Sequence, residues 1–137
     1  MDLSLPGELS STHSCNPVSC SAGIAVIKEM TKDNFKKKIT QNSERFTFLG
    51  NKLKNKYEFL KKKSNFIGMV GAFVFDFKDS DKSIEFANNF CEKALLSGVL
   101  VIKTGRESVK LSPPLLINKR NIDKAFNIFD EVLNSLI

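Results

Sequence analysis

The chain has 137 residues, 42% of them hydrophobic, and a formal charge of +6. That is long enough for one domain with its own core and too apolar for a disordered tail. No apolar run approaches the roughly 20 residues of a membrane span, and residues 1–11 carry neither a basic nor an apolar leader segment. Three cysteines, an odd number without a tight pair, argue against a disulfide framework and make a reducing cytoplasm the expected setting. The excess charge is lysine: Lys36-Lys37-Lys38, then Lys52, Lys54 and Lys56, then Lys61-Lys62-Lys63. Clustered lysine can mark a nucleic-acid or acidic-partner surface. Arginine, the better fork for phosphates and base edges, occurs only at Arg45, Arg106 and Arg120. Solvated helix faces are therefore expected, not a nucleic-acid site.

Residues 1–16 read as irregular, with Pro6-Gly7 a turn signal. Asn16-Pro17 marks a helix start, Asn suiting the N-cap and Pro the first helical position. Ala22, Gly23 and Ala25 in that helix would permit close packing against a neighbour. A longer helix begins near Asp33, where Phe35, Ile39, Phe46, Leu49, Leu53, Tyr57 and Leu60 form one apolar stripe opposite the lysines. Gly50 interrupts it at a helix cost of about 1 kcal/mol relative to Ala. Residues 66–77, rich in Phe and Val, read as a strand in which Gly68 and Gly71 mark a bend or close approach. Residues 80–97 read as a helix with Ile84, Ala87, Cys91, Ala94 and Leu95 on its buried face and Gly98 as its stop. Two short strands follow, 99–103 and 108–111, turned by Thr104-Gly105 and ended by Pro113-Pro114. The last helix presents Ile122, Phe126, Phe129, Leu133 and Leu136, with Asn118 as N-cap. The order gives an α+β unit: a small antiparallel sheet covered by helices.

Two blocks carry more than periodicity. One is G-E-L-S-S-T-H-S-C-N-P (7–17), followed by the small-residue run V-S-C-S-A-G-I-A-V-I (18–27). The other is V-L-V-I-K-T-G-R-E-S-V-K-L-S-P-P-L-L-I (99–117). Together they resemble the C-terminal part of class III pyridoxal-phosphate aminotransferases, of the 4-aminobutyrate or acetylornithine kind. The resemblance implies the small C-terminal domain of a fold type I enzyme. Residues 1–31 would be the tail of the large cofactor-holding domain with its interface loop, and 32–137 the small domain with its long connecting helix. It also implies pyridoxal 5'-phosphate as cofactor, a homodimer, and transfer of an amino group from an amine or ω-amino acid to a 2-oxo acid. Thr12, with Ser11 before it, matches the threonine that reaches the cofactor phosphate of the partner subunit, and hydroxyls and turn amides suit a phosphate. Lys110 stands where many members have an arginine for the substrate carboxylate. A lysine offers a point charge instead of a fork, which puts the substrate class in question.

No catalytic residue is expected here, because the Schiff-base lysine belongs to the absent large domain. The chain alone is expected to be inactive. His13, Cys15 and Cys20 give too few ligands on too irregular a spacing for zinc, and no metal site is expected. Arg106 could bring a guanidinium near the site, although the motif does not place it there. A glutamate-semialdehyde aminomutase is an alternative within the family. Outside it stand a free basic module for an acidic partner or nucleic acid, and a non-functional truncated frame. In the family readings, the long stripe and the 18–27 helix would both lack their cover and promote association.

Overall fold

The computed structural model describes residues 16–105 and 107–137. They belong to two units, Met1–Lys36 and Lys37–Ile137. In the first, helix α1 (Pro17–Met30) starts where Asn16-Pro17 predicts. Asn16 Oδ1 accepts from the Val18 and Ser19 amides at 2.9 and 3.4 Å, satisfying two of the free N–H groups of the first turn. No residue of α1 is buried. Cys20 is exposed, and at Gly23, expected to pack closely against a neighbour, a Cβ would meet nothing within 4 Å. Val18, Ile24, Val26 and Ile27 do not gather into one stripe, so this helix has no single face to bury.

Helix α2 (Asp33–Lys56) has Asp33 in its first turn and Lys54 and Lys56 in its last, each sign matching the end it sits at. The chain extends at Tyr57 and makes one further turn, α3 (Glu58–Lys61). The stripe expected to lack its cover is in fact the core of the second unit. Phe46, Leu49, Leu53, Tyr57 and Leu60 are all buried, because sheet and helices later in the same chain close over them.

The single strand expected over 66–77 is a hairpin, β1 (Asn65–Ile67) and β2 (Val70–Val74). Ile67 pairs with Val70, leaving Gly68-Met69 as a two-residue turn. Gly68 takes φ +62°, the left-handed region that tight hairpin turns require and that side chains resist. Helix α4 (Ser80–Leu96) follows, capped by Asp79 Oδ1, which accepts from the Asp81 and Lys82 amides at 2.9 and 3.2 Å. It ends at Gly98 (φ +90°), whose N–H donates to Leu95 O while that of Val99 reaches Ala94 O. This is the paired-bond stop of a Schellman motif. The buried face of α4 is Ser83, Phe86, Ala87, Phe90 and Ala94, and Leu95 is exposed. The expected face is thus rotated: the two phenylalanines win the core over Leu95.

Strands β3 (Ile102–Thr104) and β4 (Ser108–Leu111) and helix α5 (Lys119–Leu136) complete the unit, with Asn118 capping α5 as predicted. The sheet is antiparallel throughout, in the order β1-β2-β4-β3. Alternation sends Phe66, Phe73, Val109 and Leu111 to one face, where they join the buried side chains of α2, α4 and α5. Phe73, fully buried, is met edge-on by Phe66, Phe90 and Phe129 at 5.4–5.9 Å between centroids. Such edge-to-face pairs are favoured by the ring quadrupole. The opposite face carries Ile67, Val70 and Ile102, all exposed. Among the described residues of the second unit, helices cover one side of the sheet.

Candidate functional site

The alternation that buries Val109 and Leu111 puts Lys110 on the opposite, exposed face. Its neighbours across the sheet are Ala72 on β2 and Ile102 on β3. Lys110 and Ala72, with Asn65, Ile67, Val70, Gly71 and Thr104, line a shallow depression without an acidic residue. Among the described residues the Lys110 ammonium has no ion pair. An unpaired cation on an apolar floor is a surface that favours an anion.

Beyond Leu111 the chain leaves the sheet through Ser112 and Pro113-Pro114, where proline removes the amides that a continuing ladder would need. The segment is held from the other side by Asn42. This residue, buried on α2, donates through Nδ2 to Leu115 O (3.0 Å) and Ile117 O (2.9 Å). Sequence reasoning missed Asn42. The signal available was a polar residue between Ile39 and Phe46 on the apolar stripe, where a buried amide must find partners. Between this exit, the run into β3 and α5 lies a cavity of about 260 Å³, apolar except for Lys110 and Ser112.

A second polar cluster joins the end of α2 to α5. The Tyr57 hydroxyl donates to Asp130 Oδ1 (2.5 Å), with the Asn134 side-chain oxygen at 2.8 Å, and Lys56 Nζ lies 2.6 Å from the same carboxylate. Burial pulls the Asp130 carboxyl upward, but hydrogen bonds from Lys56 and Tyr57 outweigh it and hold the group below the ordinary carboxylate range. This cluster is a clamp between helices. Lys61 and Lys63 likewise pair with Glu58 and Asp76, so the lysine runs are partly neutralised within the unit.

Ser11 and Thr12 lie outside the described residues, as do His13, Cys15 and Arg106. Among the described residues no group of three metal-ligating side chains occurs, and no helix is long and apolar enough to cross a membrane.

Residues 1–133 match the family described as Aminotransferase class-III. The chain belongs to the class III aminotransferase family. It is 32% identical over 131 residues to an acetylornithine aminotransferase from Caldanaerobacter subterraneus subsp. tengcongensis, covering 96% of this chain and 31% of that protein. An ornithine aminotransferase from Oceanobacillus iheyensis is 29% identical, with 98% of this chain and 31% of the relative covered. Among solved structures, an acetylornithine aminotransferase from Elizabethkingia anophelis superposes with a TM-score of 0.76 at 22% identity, over 96% of this chain and 33% of that one. A lysine aminotransferase from M. tuberculosis gives 0.79 at 16% identity, over 97% and 29%. At these identities the structures establish the shared α+β fold. The family's cofactor is pyridoxal phosphate, and one neighbour is a PLP-bound aminotransferase from Vibrio fluvialis. The chain spans about a third of the length of the proteins it matches.

Proposed function

We propose that this chain is the C-terminal portion of a pyridoxal-phosphate aminotransferase that moves an amino group from an amine or ω-amino acid to a 2-oxo acid. The observation that carries the reading is the family match over residues 1–133. Acetylornithine and ornithine, the substrates in the relatives' names, are the first donors to test. In this reading residues 1–31 are the tail of the large domain and 32–137 the small domain. Ser11 and Thr12 hold a cofactor phosphate across a homodimer interface, in a cytoplasmic enzyme. Lys110 faces a substrate carboxylate.

The cofactor, when bound, supplies the electron sink of the reaction. Whether this chain can hold it alone is a question of donors. The cavity beside Lys110 offers one hydroxyl among apolar walls, which does not make the cradle of convergent donors that a phosphate monoester needs. What the chain's own residues do is present a charge: among the described residues Lys110 has no carboxylate partner, and its strand is fixed on both sides by β2 and β3.

The purified chain, mixed with pyridoxal phosphate, acetylornithine and 2-oxoglutarate, is expected to form no glutamate and to leave the cofactor's absorption spectrum unchanged. Measurable turnover would show that the chain is active by itself and overturn that part of the reading.

A further inference from the structure

The cavity beside α5 has walls that are pinned and a floor with one small side chain. Ile102↔Lys110 is the last pair of β3 and β4. In the same register Val99 would meet Pro113, but Pro113 and Pro114 have no amide to donate, so the two runs splay and the ladder ends. The wedge between them opens onto Ile122, Ala125, Phe126 and Phe129 of α5. One wall is pinned where the Val99 amide donates to Ala94 O at 2.8 Å. The other is pinned where the Ile117 amide donates to Pro114 O at 3.0 Å and Asn42 Nδ2 donates to Ile117 O at 2.9 Å. Ala125 is too short to reach across, and a space of about 260 Å³ is left. We propose that this cavity binds a neutral monocyclic aromatic molecule with a short alkyl arm, at a site independent of the transaminase reading above.

Volume, ring contacts and charge decide the class. An apolar cavity of about 150 Å³ takes up benzene, so the larger space here holds a ring with a short arm. Phe46, Phe126 and Phe129 line it and already meet edge to face, Phe46 with Phe126 and Phe126 with Phe129 at 5.4 and 5.5 Å between centroids. A guest ring extends that arrangement. Lys110 borders the cavity, but strand alternation turns its side chain to the exposed sheet face. The other lining residues are apolar apart from Ser112. A charge placed inside would lose its hydration with no counter-charge to replace it, which excludes carboxylates and ammonium groups. The pinned walls favour binding too, because a preformed site spends little on ordering itself.

The test titrates the full ¹⁵N-labelled chain with toluene, benzoate and benzylammonium, three molecules with one ring and different charge. Toluene should move the Leu111, Ile122 and Phe126 amide resonances to saturation. Each charged ring should bind at least about tenfold more weakly. Ala125→Leu, which fills the floor, should lose toluene binding. Ala125→Val, the smaller intrusion, should weaken it in part and keeps the test open if the leucine variant does not fold. Toluene binding unchanged in the Ala125 variants would place it elsewhere and overturn the inference. Saturable shifts confined to Ile67 and Val70 on the exposed sheet face would do the same, and so would no shift at all. A charged ring that binds as tightly as toluene would overturn the assignment to neutral ligands.

Discussion

The ring of Phe66 occupies the space that a side chain on Gly50 would need. A Cβ at residue 50 would stand 2.5 Å from Phe66 Cγ, far inside van der Waals contact. The ring is held there by Phe46 and Phe73, at 5.9 and 5.4 Å between centroids. Gly50→Ala therefore gains about 1 kcal/mol of helix propensity and loses about 1–3 kcal/mol to overpacking. The net expectation is destabilisation, read as a lower urea midpoint at unchanged slope. In a Phe66→Leu background the same substitution should become neutral or stabilising, since the obstacle is gone.

Tyr57 and Asp130 tie the end of α2 to α5. Tyr57→Phe leaves a part-buried carboxylate short of one donor and should destabilise by about 1–3 kcal/mol in equilibrium unfolding.

The pH dependence follows from the same clamp. Asp130 is held low in the fold: burial opposes this, and the bonds from Lys56 and Tyr57 prevail. Its contribution is therefore present above the unfolded value, near pH 4, and is lost as pH falls through the folded value. Lys56 is raised, first by its bond to Asp130 and against its own desolvation, and Tyr57 is raised, first by burial and then by the bond to Asp130. Their contributions stand below about pH 10 and fade as pH rises beyond it. The stability difference between the unmutated chain and Asp130→Asn should be widest near neutrality and narrow at both extremes. A difference constant from pH 2 to pH 8 would show that the Asp130 charge contributes nothing.

Asn42→Ala removes two donors from the Leu115 and Ile117 carbonyls. The expected cost is about 1–3 kcal/mol, with faster hydrogen exchange over residues 115–118 than over α4. Uniform exchange across both would mean that Asn42 does not hold this segment.

Lys110→Met should leave stability within about 0.5 kcal/mol, because the residue is exposed and has no ion pair among the described residues. Phe73→Ala, at the centre of the core, should cost about 3–5 kcal/mol. Thermal and urea unfolding of the two variants side by side separates the surface residue from the core one.

Local chemistry was the legible part of this chain. Asn16-Pro17, Asn118 and Gly98 each announce a helix end through a cap that needs no tertiary partner, and each is found in place. The strand at 108–111 was equally legible, because Val109 and Leu111 alternate with polar neighbours. What was not legible depended on partners distant in sequence. Gly50 looked like a helix weakness because its reason is Phe66, across the core. The 66–77 run looked like one strand because both arms of a hairpin are equally rich in Phe and Val, and only pairing distinguishes them. Leu95 reads as core from its apolar type alone; Phe86 and Phe90, packed at tilted angles against Phe75, are buried instead. Lys110 was legible as a strand residue between Val109 and Leu111. Asn42 was not, because its two acceptors lie more than seventy residues away.

The two outer strands of the sheet, β1 and β3, are only three residues long, and the longer β2 and β4 lie between them. A growing fibril needs a template of free amides and carbonyls, and borders this brief offer almost none. The second unit is thereby guarded against amyloid-type stacking while native. Any clumping of the folded chain should proceed through side-chain adhesion, dissolve on dilution, and give no thioflavin signal.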